Sequence, residues 1–236
     1  MPVVDALLPT PGERVELDRD ALRAWLRERY ALPYSAFVRV NLVAALGGQT
    51  TASDGTSDGL TGGIDRLLLA ELRRSADVVL VGAGTLRAER LALPKTAALA
   101  VATRRGDLDP ATLPAPAADG RRAIVLCSDR VAPALRARVG DRATVRVVDG
   151  DPSRTPSVLI EALVADGMPR IVCEGGAELA GRLVTAGVVD ELDLTTAPAL
   201  AGGGPALRAL GGPWTLVGLL HDETDRLYAR WRSPAR

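Results

Sequence analysis

One histidine, His221, and two cysteines, Cys127 and Cys173, are all the chain offers in imidazole and thiol metal ligands, and no Cys-x-x-Cys occurs. A structural or catalytic zinc site is therefore not expected. Each cysteine closes a short apolar run that reads as a buried strand, so both belong to the core rather than to a disulfide, and a reducing cytoplasm fits. No apolar run reaches about 18 residues, and no basic segment leads into an apolar one at the start, so neither a membrane span nor secretion is expected. The Gly-x-Ser-x-Gly elbow of serine hydrolases is missing, and so is a Gly-Lys-Ser/Thr after either glycine turn. A Ser-His-Asp triad and a Walker phosphate loop are thereby set aside. Lysine is nearly absent, and the chain shows no internal repeat.

What is present is an ordinary globular composition. The 236 residues are slightly under half apolar and carry 29 basic against 29 acidic side chains. A chain of this size buries roughly 70% of its surface on folding. Near-zero net charge gives no general pull toward nucleic acid or an anionic membrane.

Residues 1–35 read as an N-terminal arm. Pro9, Pro11 and Gly12 break structure, and Leu22, Trp25, Leu26 and Arg29 then recur at helical spacing up to Pro33. Residues 36–236 form the main unit. Phe37 to Ala45 is a strand candidate, followed by a polar, Gly-rich loop through Gly63 that is too long for a tight turn and suits a binding loop. Thr61 is the expected N-cap of the next helix, with Asp65 favourable in its first turn. Short apolar runs ending near Val81, Ala102, Cys127, Val148, Glu174 and Ala197 alternate with helical stretches. Trp214 to Leu220 and Leu227 to Arg232 flank the turn-like Asp222-Glu223-Thr224-Asp225. This pattern predicts a mostly parallel α/β sheet flanked by helices, with a C-terminal antiparallel hairpin at its edge.

Two strand ends carry glycine turns that open helices, Gly82-Ala83-Gly84-Thr85 and Glu174-Gly175-Gly176. Backbone N–H groups at such helix N-termini hold anions, so Gly175 and Gly176 read as a diphosphate seat and Glu174 as a substrate-facing carboxylate at a strand's carboxyl end. Arg104 and Arg105, after another strand, match a ribose 2′-phosphate. Arg73 and Arg74 end a helix, where cations meet the macrodipole. A dinucleotide-dependent reductase and a noncatalytic nucleotide-binding module both fit.

Four segments together resemble the reductase domain of bacterial riboflavin biosynthesis, the pyrimidine reductase family with its dihydrofolate-reductase-like fold. They are Val-Asn-Leu-Val-Ala-Ala-Leu-Gly-Gly (40–48), the stretch 72–89 around Val-Leu-Val-Gly-Ala-Gly-Thr, Glu-Gly-Gly-Ala-Glu-Leu (174–179) and Val-Asp-Glu-Leu (189–192). The resemblance implies an NADPH-dependent oxidoreductase that reduces the ribosyl C1′ of 5-amino-6-(5-phosphoribosylamino)uracil, or a related pyrimidine, to the ribityl compound. It implies that Gly84 and Thr85 contact the cofactor and that Thr103 and Arg104 meet its 2′-phosphate. Gly175, Gly176, Ala177, Glu178 and Leu179 would cradle the diphosphate. Val43 and Gly59 would line the nicotinamide side, and Glu89 would be an acidic cofactor contact. Ser57, Arg73, Leu93 and Glu174 would meet the substrate, Glu174 being the catalytic candidate. A cytoplasmic homodimer is implied as well.

Two departures from the family pattern bear on the substrate more than on the cofactor. Ala45-Leu46-Gly47-Gly48 stands where the family has Ser-Leu-Asp-Gly, and Glu89-Arg90-Leu91 where it has Asp-Asn-Pro or Asp-Asp-Pro. The zinc deaminase signatures that often precede this domain are missing, so a stand-alone reductase is expected. Dihydrofolate or pterin reduction, or NADPH binding without turnover, are the alternatives.

Overall fold

The structure, a computed structural model, describes residues 1–9, 11–33, 35–148, 150, 155–200, 204–206 and 213–234. Its strands are β1 (Val3–Leu8), β2 (Glu13–Glu16), β3 (Phe37–Ala45), β4 (Val78–Gly82), β5 (Ala98–Ala102), β6 (Ala123–Cys127), β7 (Ala143–Val147), β8 (Arg170–Gly175), β9 (Glu191–Ala197), β10 (Thr215–Asp222) and β11 (Leu227–Arg232). Its helices are α1 (Arg19–Arg29), α2 (Asp65–Ser75), α3 (Ala83–Glu89), α4 (Ala132–Val139), α5 (Ser157–Ala165) and α6 (Ala177–Thr185). All strands join one sheet in the order β2-β1-β10-β11-β9-β3-β8-β4-β5-β6-β7. From β9 to β7 the neighbours are parallel, and from β9 to β2 they are antiparallel.

The expected mostly parallel sheet and C-terminal hairpin are both present. The parallel strands are apolar on both faces, as in the fully buried Val78–Val81 of β4, because helices cover both sides. One core packs Leu22 and Leu26 of α1, Leu68 and Leu72 of α2 and Leu135 of α4 against the sheet. The other packs Leu159 and Leu163 of α5 and Ala180 and Leu183 of α6 against Val38, Val40, Ile171 and Cys173. Both cysteines are unpaired and buried, and burial pushes the Cys173 thiol up to about 12.

Two local expectations are corrected. The hairpin is not the sheet edge: Val3–Leu8 and Glu13–Glu16 form β1 and β2, which pair with each other, and β1 pairs with β10. Short strands separated by prolines carry too little periodicity to be read alone. Thr61 does not cap α2, since its hydroxyl donates to the Ser57 carbonyl and the helix begins at Asp65 with no cap from a neighbouring side chain.

The cap comes from the far end of the chain. The Asp222 carboxylate accepts from the Ile64 N–H at 3.0 Å, from the Thr224 N–H and hydroxyl, and from the Tyr228 hydroxyl at 2.6 Å. Gly63 is required beside it, because its φ is +51° and a Cβ there would collide with this carboxylate. Burial alone would raise the Asp222 pKa, but these donors outweigh it and hold it below the ordinary carboxylate value.

Replacing Asp222 by alanine is therefore expected to cost about 3 kcal/mol in denaturant unfolding, because buried donors lose a charged acceptor. The folded pKa being depressed, this stabilisation is fully present above the unfolded-state pKa and is lost as pH falls through the folded one. The stability gap between wild type and Asp222→Asn should accordingly close in strongly acidic buffer.

Candidate active site

The carboxyl ends of the parallel strands open into a cleft of about 900 Å³. Four elements build it. The wall on one side is α2, whose Asp65, Leu69 and Arg73, each four residues apart on one helix face, line the cleft together with Arg66. The floor includes Asn41 and Val43 of β3. The two glycine turns after β4 and β8 and residues of the loop 50–58 complete the lining.

β4 and β8 are neighbours, so the two glycine turns meet. A Cβ on Gly82 would lie 3.7 Å from the Gly175 carbonyl oxygen and the Gly176 nitrogen, and one on Gly176 would lie 3.2 Å from the Thr85 hydroxyl. Gly175 has φ +109°, a backbone state that side-chain-bearing residues avoid. Gly176 then starts α6 without a side-chain cap, and among the described residues no side chain accepts from the helix's first N–H groups, which suits an anion at the cleft surface lined by Gly176, Ala177, Glu178 and Leu179. Arg104 and Arg105 lie on the same cleft. Arg104 pairs with Glu178 at 3.0 Å while about half exposed.

Arg73 and Glu174 meet in a two-point ion pair, Nε to Oε1 at 2.7 Å and Nη2 to Oε2 at 2.6 Å. Burial would lower the Arg73 pKa, but Glu174 outweighs this and raises it. Both Glu174 oxygens are thus acceptors to a fixed cation, an arrangement that presents guanidinium N–H groups and a carboxylate side by side to a polar ligand. The pair also ties the C-terminal turn of α2 to the end of β8.

The cleft brings together most of the residues singled out from the sequence. Val43, Ser57, Arg73, Gly84, Thr85, Glu89, Thr103, Arg104, Glu174 and 176–179 all line it. Ser57 and Glu89 touch directly, the Ser57 N–H donating to the Glu89 carboxylate at 2.7 Å and fastening the loop 50–58 to α3. Thr103 is buried, and its hydroxyl accepts from the Gly106 N–H, holding the turn that carries Arg104. Three residues lie off the cleft lining: Leu93 packs against the α1/α2 core, Gly59 is exposed in the loop, and Gly175 is buried behind Gly176.

Other cleft features were not singled out as site residues. Asp65, read only as a favourable first-turn charge, is buried on the wall, and Thr195 of β9 donates to its Oδ1 at 2.7 Å. The Asp65, Leu69, Arg73 spacing could have placed these on one helix face, but Thr195 joins them only through strand register. At Gly47, where the resembling family has an aspartate, the side-chain amide of Gln49 fills the space: a Cβ there would be 2.5 Å from Gln49 Oε1, which is buried with no hydrogen-bond partner among the described residues. Among the described residues no cluster of His, Cys, Asp and Glu could hold a metal ion, and no helix is long and apolar enough to cross a membrane.

A model of the RibD C-terminal domain family matches residues 36–227. The riboflavin biosynthesis protein RibD of Bacillus amyloliquefaciens is 33% identical over 196 residues, which are 78% of this chain and 50% of that protein. The chain thus spans about half of that relative's length. A 2,5-diamino-6-ribosylamino-4(3H)-pyrimidinone 5′-phosphate reductase of Methanothermobacter thermautotrophicus is 28% identical over 186 residues, 75% of this chain and 84% of the relative. Among solved structures, a pyrimidine reductase-like protein of Corynebacterium diphtheriae superposes with TM-score 0.73 at 21% identity, covering 88% of this chain and 98% of its own. An Enterococcus faecalis dihydrofolate reductase complexed with NADP(H) gives TM-score 0.51 at 13% identity, with 85% and 98% covered. These structural likenesses establish the dihydrofolate-reductase-like fold.

The Arg73–Glu174 pair should be energetically coupled. In a double-mutant cycle of Arg73→Met and Glu174→Gln, followed by denaturant unfolding, the expected coupling is about 1–2 kcal/mol, between exposed and fully buried pairs. Strict additivity of the two changes would show that the pair does not tie α2 to β8.

Proposed function

The chain belongs to the RibD C-terminal domain family, and from that premise we propose that it is an NADPH-dependent reductase of the riboflavin-biosynthesis type. Its substrate is a ribosylaminopyrimidine 5′-phosphate, reduced at the ribosyl C1′ to the ribityl compound. The observation that carries this reading is the cleft whose lining includes the start of α6, with Arg104 and Arg105, together with the Arg73–Glu174 pair. Residues 36–236 are taken as the reductase unit and residues 1–35 as its arm.

The residues present fit a dinucleotide phosphate. Gly176 to Leu179 offer backbone donors for the diphosphate, with Gly84 and Thr85 across from them. Arg104 on the rigid Thr103 turn is the proposed partner of the 2′-phosphate, which would compete with Glu178 for the guanidinium. Val43 and Glu89 line the same cleft, and Gly59 follows the loop 50–58. When bound, the reduced nicotinamide supplies the hydride that the ring-opened imine carbon accepts.

The chain's own residues orient the substrate. Ser57, Arg73 and Glu174 are the proposed contacts, with Leu93 shaping the wall from the core side. Because both Glu174 oxygens accept from Arg73, we assign Glu174 to holding polar groups of the ribosyl phosphate. A proton relay through it would require the pair to open. This placement is geometric: only a substrate fixed against the hydride donor gains the rate advantage of orientation. We propose a cytoplasmic homodimer as well, since Leu194, Trp214 and Trp231 are only half-buried beside the α5/α6 core. Light scattering after size exclusion tests the dimer.

NADPH oxidation, followed at the nicotinamide absorbance with a ribosylaminopyrimidine phosphate and with dihydrofolate in parallel, tests the reading. Turnover of the pyrimidine is the expected result. Turnover of dihydrofolate alone would make the chain a folate-type reductase, and binding without turnover a nucleotide-binding module. Glu174→Gln should lower kcat about tenfold or more while leaving NADPH affinity nearly unchanged. Arg104→Ala should weaken NADPH about tenfold and NADH hardly at all, since only the former offers a 2′-phosphate to the guanidinium. Equal losses for both cofactors would reject that role.

A further inference from the structure

Resting on the reductase reading, we propose that the buried Asp193 of β9 stores the proton consumed in each reduction and passes it to the cleft through an internal water held by Asn41.

Three neighbouring groups carry buried polar atoms without a hydrogen-bond partner among the described residues: the Asn41 side-chain carbonyl, both Asp193 carboxyl oxygens and the Tyr30 hydroxyl. Asn41 lines the cleft and is paired in register with Asp193 on the neighbouring strand, so the two side chains stand on the same face of the sheet. Tyr30, at the C-terminal end of α1, lies within reach of the Asp193 charge, which acts with burial to raise its phenol. Desolvated polar atoms so placed are completed by ordered water, which needs two or more polar partners.

The surroundings of Asp193 explain why it, and not its neighbour, keeps a proton. Arg39 of β3 and Arg230 of β11 both direct Nε and Nη2 to Glu191, at 2.6 to 3.3 Å. Asp193 receives only an ion contact from Arg39 Nε at 3.2 Å. Two carboxyl groups thus share two guanidinium groups, and Glu191 takes the better geometry. Burial pushes Asp193 up to about 7; Arg39 and Arg230 work against this, and the Glu191 charge adds to it. Toward α2 the next titratable group is Asp65, bonded to Thr195 two residues further along β9.

Reduction needs such a store. As the ribosylamine opens, the C1′–O4′ bond breaks, a C1′=N bond forms, and the proton leaving nitrogen ends on O4′. Hydride arriving at C1′ returns an electron pair to that nitrogen, which then takes one proton. Glu174 is not placed to give it, since both its oxygens accept from Arg73. Asp193 gives it instead: its O–H bond breaks, the water beside Asn41 carries the proton, an N–H bond forms on the substrate, and solvent reprotonates the carboxylate before the next turnover.

The test follows kcat against pH with NADPH and a ribosylaminopyrimidine phosphate both saturating, beside carboxyl NMR of protein labelled at aspartate. Wild-type kcat should fall about tenfold per pH unit above about 7, and one aspartate should titrate near that value. Asp193→Asn, a neutral replacement of nearly equal volume, should remove that signal, lower kcat about tenfold or more and flatten the alkaline limb, with NADPH affinity unchanged. If Asp193→Asn fails to fold, Asn41→Leu serves: it should lower kcat and enlarge the solvent deuterium effect while the Asp193 signal persists, and unchanged values would overturn the inference. An alkaline limb that survives in Asp193→Asn, a wild-type kcat indifferent to pH around 7, or no aspartate titrating there would overturn it too, while turnover itself would leave the reductase reading standing. If only dihydrofolate is reduced, with the same dependence on Asp193, the pyrimidine reading falls and the proton role stands, because reduction of that imine also consumes one proton. No turnover of either substrate overturns both.

Discussion

Helix α2 is tied at both ends by charges from distant parts of the chain, and the cleft depends on those two ties. At its start Asp222, from the hairpin between β10 and β11, accepts from the Ile64 N–H. At its end Arg73 grips Glu174 of β8. Glu71 adds a lateral tie to α1 through Arg27 at 2.8 Å, from a nearly fully buried position. A helix fixed at three points presents one face, Asp65 to Arg73, at a constant height above the sheet. The apolar face of α2 supplies the burial energy; the polar ties decide where its other face points.

The same side of the sheet carries a line of polar side chains from β9. Glu191, Asp193 and Thr195 alternate with the apolar Leu192 and Leu194, as residues two apart on a strand must. Glu191 is fully buried and bonded to Arg39 at 2.6 Å and to Arg230 at 3.0 Å; burial would raise its pKa, but the two guanidinium groups outweigh this and lower it. Asp193, next along, is pushed up to about 7 by burial. Such buried ions contribute less to net stability than to the choice of one arrangement over others, since each loses its solvation. Here the bonds of Glu191 to Arg39 of β3 and Arg230 of β11 tie β9 to both neighbours, in the register that sets Thr195 beside Asp65.

The glycine turns show a different logic. They were legible because a strand that ends in Gly-Gly or Gly-Ala-Gly before a helical repeat has one local reason to exist, the delivery of free N–H groups. Their juxtaposition was not legible: β4 and β8 are separated by most of the intervening chain and are neighbours only in the sheet order. The Arg73–Glu174 pair is a similar case. Both residues stood out from the sequence, but each as a separate contact, and only the packing of α2 against the end of β8 turned them into a single group.

Local periodicity by itself determined the alternation of strands and helices, the glycine turns and the terminal hairpin, because these follow from interactions within about a dozen residues of chain; most of the cleft-lining residues were implied by the family resemblance of four segments. Tertiary structure alone decided the rest. It placed β1 and β2 at the edge, where pairing with β10 compensates for weak strand pattern. It replaced the local Thr61 cap by Asp222, since a buried charged acceptor from 158 residues away satisfies the N–H better than a hydroxyl already bonded to Ser57. It converted Asp65 from a first-turn charge into a buried acceptor facing the cleft. Hydrogen bonds between residues so far apart leave no spacing in the sequence to read; their partners are chosen by strand register and helix docking.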